Sequence, residues 1–134
     1  MNETQRRIDK AIANYSSSLM NSTKWREVLN LVGSLNMEVQ FSFVRKEQFM
    51  SLIRFPEGGT KENATTDCTY HGPFLLKEIF EIRCPRFEEK IDPKTGTKYK
   101  DETKFLAFLV SLNKLGQLPI NETETGVIIS GYQK

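Results

Sequence analysis

Imidazole and thiol groups are scarce in this chain: one histidine, His71, and two cysteines, Cys68 and Cys84, are all that 134 residues provide. A structural zinc site needs about four such ligands. Cys68 and His71 form a C-x-x-H pair to which Cys84 could add a third ligand, but no further histidine or cysteine completes the set. No metal and no other cofactor is expected. A glycine-rich phosphate loop is also missing, because Gly58-Gly59 stands alone ahead of the polar TKENATTD, which gives no sign of a helix start.

Charge of one sign is lacking too. Nineteen basic and 17 acidic residues are interspersed for a net charge of +2, which leaves no basic footprint of the kind that marks nucleic-acid binders. No apolar run approaches the roughly 18 residues needed to cross a bilayer. The start, MNETQRRIDKAIANY, carries charges where a signal peptide needs an apolar core of about 7 to 15 residues. The expected location is the cytoplasm, where Cys68 and Cys84 stay as thiols and the N-x-Ser/Thr triplets at Asn2, Asn21, Asn63 and Asn121 are chance matches.

What is present is an ordinary globular composition, 38% hydrophobic and 27% charged. The length predicts one domain over 1–134, with an N-terminal helix in 1–18 at its periphery. Ile8, Ala11, Ile12 and Tyr15 form one helical stripe, which Ser16, Ser17 and Ser18 interrupt. Asn21, Ser22 and Thr23 are N-cap types ahead of a second helix whose stripe is Trp25, Val28, Leu29, Val32 and Leu35, with Asn36 as its left-handed closing residue.

At Met37 the period changes to two, with Met37, Val39, Phe41 and Phe43 on the buried side of a strand. FMSLIRF predicts a second strand paired antiparallel to it, and the polar stretch 56–67 a surface loop. Gly72-Pro73 reads as a turn and LLKEI as a helical turn. Ile79 to Cys84 reads as a strand with Phe80, Ile82 and Cys84 on one side, ended by Pro85. EEKIDPKTGTKYKDE is a small hairpin or a loop. Asp101 or Thr103 caps a last helix, KFLAFLVSLNKL, expected to be mostly interior and closed by Gly116, followed by strands at 118–121 and Val127 to Ile129. The fold class is α+β: one two-layer domain, a mainly antiparallel sheet of about four to five strands against two to three helices.

No catalytic set emerges. Cys68 or Cys84 with His71 as base would suit a small hydrolase or transferase, but alternation buries Cys84. Glu78 with Glu81, Glu88 with Glu89, and Asp101 with Glu102 read as solvated charge. Arg83, Arg86, Lys90, Lys94, Lys98, Lys100 and Lys104, with Phe87 and Tyr99 between them, would suit a weak nucleic-acid binder but are diluted by five carboxylates: Glu88, Glu89, Asp92, Asp101 and Glu102.

MNSTKWREVL at 20–29, GPFLLKEIFEIRCPR at 72–86 and LNKLGQLPINETETGVIISGY at 112–132 resemble, in order and spacing, a family of small bacterial proteins of unknown function. That family carries an N-T-K-W-type helix start, a G-P-F block and a terminal Gly-Tyr strand. The resemblance implies a bacterial cytosolic protein and brings no catalytic residues. In size and make-up the chain is more loosely similar to immunity proteins of polymorphic toxin systems. The resulting expectation is a non-enzymatic module that binds a protein partner through the loops at 56–71 and 86–101, with Tyr70, His71, Arg86, Phe87 and Tyr99 as contacts.

Overall fold

The computed structural model describes residues 3–45, 48–50, 52–55 and 74–134. The 56–67 loop, the Gly72-Pro73 turn, Cys68, Tyr70 and His71 lie outside them. Helix α1 spans Glu3–Ile12 and α2 spans Ser22–Ser34. Asn21 caps α2 with an extended backbone, its Oδ1 accepting the Lys24 N–H at 2.8 Å. The buried stripe is Trp25, Val28, Leu29 and Val32, as the periodicity predicts. Asn36, at φ 57°, then turns the chain into β2, Glu38–Phe43. Short polar side chains tolerate that conformation best after glycine, which is why a helix can close on this residue.

The sheet is built around β4, Ile79–Pro85. It has β2 on one side and β8, Gly126–Ser130, on the other, with β3 (Ile53–Arg54) outside β2 and β7 (Ile120–Thr123) outside β8. Every neighbouring pair is antiparallel. The strand expected over FMSLIRF is shorter than its sequence suggests, although the Met50 N–H still reaches the Phe41 carbonyl at 2.8 Å. Phe41, Ile82, Ile129 and Ile120 stand opposite one another across β2, β4, β8 and β7. This row and its neighbours Val39, Cys84 and Val127 pack against α2 and against α3, Thr103–Lys114. The class is α+β, as predicted.

Two expectations are corrected. Phe80 does not share a side with Ile82 and Cys84. Ser42 pairs with Glu81 but Phe43 pairs with Ile79, so Phe80 is the extra residue of a β-bulge. The bulge sends Phe80 to the other face of the sheet, where it joins Ile8, Val44 and Tyr132, and it returns Ile79 to the main core. Helix α3 is also less interior than its composition implies. Phe105, Phe108 and Leu112 are buried, but Leu106 and Val110 are about half exposed, because only one side of α3 meets the sheet and α2.

The bulge seats the N-terminal helix. Tyr15 stacks between Phe80 and Tyr132, with ring centres 5.1 and 5.3 Å apart. The Tyr132 hydroxyl donates to the Lys77 carbonyl at 2.8 Å, and Lys77 Nζ meets Asp9 Oδ1 at 2.8 Å. The serine run becomes β1, Ser17–Ser18, paired with β9, Tyr132–Gln133. Helix α1 is therefore held on the sheet by both ends of the chain.

Gly131 lies against the bulge, its N–H donating to the Phe80 carbonyl at 2.7 Å. A Cβ there would come within 2.6 Å of the Ile79 carbonyl oxygen, which is main chain and cannot swing away. Gly131→Ala should therefore lower unfolding free energy by about 1–3 kcal/mol, read by chemical denaturation. Unchanged stability would show that the bulge and the C-terminal strand are not in this contact.

Candidate functional site

Past Pro85 the chain leaves the sheet and forms a hairpin of its own, β5 (Glu88–Ile91) and β6 (Lys98–Asp101), a two-stranded sheet separate from the five-stranded one. Asp92 closes the turn. Its Oδ1 accepts the Lys94 N–H at 2.8 Å, its carbonyl accepts the Gly96 N–H at 2.8 Å, and Gly96 takes the left-handed conformation at φ 72°. Of the two readings of EEKIDPKTGTKYKDE, the hairpin is the one that forms.

Arg86 sets where this hairpin starts. Its Nη2 donates to Glu122 Oε1 at 3.0 Å and to the Thr123 carbonyl at 3.1 Å. Its guanidinium carbon lies 4.9 Å from the Phe105 ring centre, and its main-chain N–H reaches the Thr125 carbonyl at 2.8 Å. One side chain thus ties the chain to β7 and to α3. Its role in the structure is a brace.

Below the brace, Lys90 Nζ meets Asp101 Oδ2 at 2.6 Å and Lys104 Nζ meets Glu88 Oε1 at 3.2 Å. Asp101 Oδ1 also accepts the Thr103 N–H at 2.9 Å, so the same carboxylate joins β5, β6 and the first residue of α3, although the N-cap position itself falls on Glu102 and not on Asp101 or Thr103 as expected. The Lys90 hydrogen bond, then the two from Thr103, hold the Asp101 carboxyl well below the usual range, and the same contact raises Lys90.

The two faces of the hairpin differ. Phe87, 41% exposed, lies on one face with Glu89 and Ile91, and Lys100 Nζ sits 5.5 Å from its ring centre. Tyr99, 48% exposed, is across from Lys90 on the opposite face. Arg86 and Phe87 thus lie in the link from β4 to β5 and Tyr99 on β6, with Phe87 and Tyr99 on opposite faces of the hairpin. Tyr70 and His71 lie outside the described residues. Ile91, Leu52 and the cleft at the hairpin base carry no sequence motif. Ile91 is legible only as the lone apolar residue of a polar run, two alternations beyond Phe87. The cleft holds about 360 Å³ between the strand edge at Leu52 and Arg54, the start of β5 at Phe87 to Glu89, and Lys104 of α3.

The rival chemistries find little here. Cys84 is fully buried, and burial alone pushes its thiol pKa upward, opposite to what a nucleophile needs. Of the seven basic residues in the candidate nucleic-acid stretch, Arg86, Lys90, Lys98 and Lys104 each face a carboxylate. Arg83 lies over the Phe49 ring at 4.1 Å. Among the described residues, no group of three or more His, Cys, Asp or Glu side chains could hold a metal ion, and no helix is long and apolar enough to cross a membrane.

Two outcomes follow from the chemistry of this region. In a Cys68→Ser variant, Cys84 should resist a thiol reagent at neutral pH until the protein unfolds, and rapid labelling of the folded chain would reopen nucleophilic catalysis. The folded pKa of Asp101 lies below its unfolded value, so its contribution to stability is complete above the unfolded pKa of about 3.9 and is lost only as pH falls through the depressed value. An NMR titration should place the Asp101 midpoint well under that value. A midpoint at it would remove the Lys90 and Thr103 contacts in solution. No family model, curated protein or solved structure matches this chain.

Proposed function

We propose that this chain is a non-enzymatic protein-binding module of the bacterial cytoplasm, and that its β5–β6 hairpin is the contact surface. The observation that carries this reading is the hairpin itself: a separate two-stranded sheet that keeps Phe87, Ile91 and Tyr99 exposed while its base is fixed by Arg86 and Asp101. Large apolar and aromatic side chains dominate binding energies once a partner desolvates them. A mount that is already ordered spares the partner the entropy of ordering it. An immunity-type role, blocking a toxin, is the version that the chain's size and make-up suggest.

Burial of Cys84 argues against it as the nucleophile of a small hydrolase or transferase. Carboxylates beside Arg86, Lys90, Lys98 and Lys104 argue against nucleic acid as the ligand.

The test is affinity capture from a native lysate with the wild-type chain and with Phe87→Ala, Tyr99→Ala and the double variant. Phe87 and Tyr99 are 41% and 48% exposed and stand outside both core clusters, so thermal stability should stay close to wild type. A specifically captured protein should bind each single variant about tenfold more weakly, and the double variant not measurably. Equal capture by wild type and the double variant would place the contact elsewhere.

A further inference from the structure

The outer edge of β5 has a sequence that matches itself. The Asp92 N–H donates to the Thr97 carbonyl at 2.9 Å, in the register that pairs Lys90 with Tyr99 and Glu88 with Asp101. Main-chain groups alternate along a strand, so Asp92, Lys90 and Glu88 direct theirs towards β6, while Glu89 and Ile91 direct theirs away, and Phe87 stands immediately before the strand. Among the described residues no strand pairs with that outer edge. An exposed edge of this kind is a template for another strand.

We propose that the strand it takes is β5 of a second copy of this chain. Two β5 strands related by a two-fold axis through Glu89 run antiparallel, with Phe87 opposite Ile91 of the second copy, Glu88 opposite Lys90 and Glu89 opposite Glu89. Glu89 and Ile91, whose main-chain groups point outward, then fall at hydrogen-bonded positions, so the register suits backbone as well as side chains. Phe87 and Ile91, 41% and 61% exposed, cover each other on one face. On the other face Glu88 and Lys90 add opposite charges to the Lys104 and Asp101 contacts they already make. Strand β6 offers no such match: a two-fold through Tyr99 would set Lys98 against Lys100 of the second copy.

The weak point of the pairing is equally specific. The two Glu89 carboxylates meet at the axis, each offset within its own chain by Lys98 at 3.6 Å and by Lys100 across the hairpin. Removing that charge should tighten the pair, an effect that a nonspecific contact through Phe87 and Ile91 would not show. The proposal goes beyond the reading above and can fail while that reading stands, since a chain that stays monomeric can still bind a different protein through this hairpin.

The experiment is sedimentation equilibrium of the full chain from micromolar to millimolar concentration. The expected result is a reversible dimer with a dissociation constant on the order of 100 µM, as fits a small interface. Glu89→Gln should tighten it about two- to five-fold. Ile91→Lys should weaken it about tenfold or more. Glu89→Pro should abolish it, because the missing N–H points away from β6 and leaves the hairpin ladder whole. A wild-type chain monomeric up to about 1 mM overturns the proposal, since a dimer that weak would be no specific interface. So does a dimer indifferent to Ile91→Lys and Glu89→Pro, or one that Glu89→Gln weakens.

Discussion

The anchoring of Arg86 is the constraint on which the rest of the candidate site depends. Strand β4 is the middle of the five-stranded sheet, and the same run of chain continues into the hairpin, so whatever fixes its exit fixes the hairpin. Pro85 ends the strand. The Arg86 guanidinium then reaches Glu122 and the Thr123 carbonyl on β7 and lies over the Phe105 ring of α3. A charge-assisted hydrogen bond that is partly shielded from water is stronger than a solvated one, and the Arg86 side chain is only 23% exposed. The ion pairs Lys90–Asp101 and Lys104–Glu88 further along the hairpin are exposed to a similar degree, so what sets Arg86 apart is its added reach to the Thr123 carbonyl and the Phe105 ring. Those ion pairs set the register of β5 on β6, while Arg86 sets the position of both.

The hairpin is expensive to keep as it is. Phe87, Ile91 and Tyr99 would gain by burial, and among the described residues no further strand pairs with either edge of the hairpin. The opposite end of the molecule is handled differently. There Tyr15, Phe80 and Tyr132 stack together, β1 pairs with β9, and Gly131 passes close to the main chain of β4. One end of the fold is sealed by its own termini, and the other holds exposed apolar side chains on a braced mount. That contrast is the physical basis for reading the hairpin as the working surface.

Much of the frame could be read from the sequence because its signals are local. Asn21 and the stripe from Trp25 to Val32 mark α2, alternation from Met37 marks β2, and Asn36 and Gly116 stand at the helix ends they close. Alternation cannot register a bulge, since the extra residue is defined by the partner strand, and so Phe80 falls on the wrong side when read from β4 alone. The candidate site is legible only in part for a similar reason. Phe87 and Tyr99 stand out as aromatics in a polar run. Arg86 looks like an exposed contact until β7 and α3 supply its partners, and the cleft joins Leu52, Phe87 and Lys104 from distant parts of the chain. The match of β5 with itself is written in the five residues Phe87 to Ile91, but the direction of the main-chain groups of Glu88 to Ile91 is fixed only once Asp92 is paired with Thr97.

The central claim, that the hairpin is where this protein meets another, is tested most directly by amide hydrogen exchange measured with and without a bound protein, or below and above the dimer midpoint. The account predicts slowed exchange confined to 87–91 and 98–101, with α1 and the exposed side of α3 unchanged. Slowed exchange on α1 or α3 with the hairpin amides unaffected would contradict it.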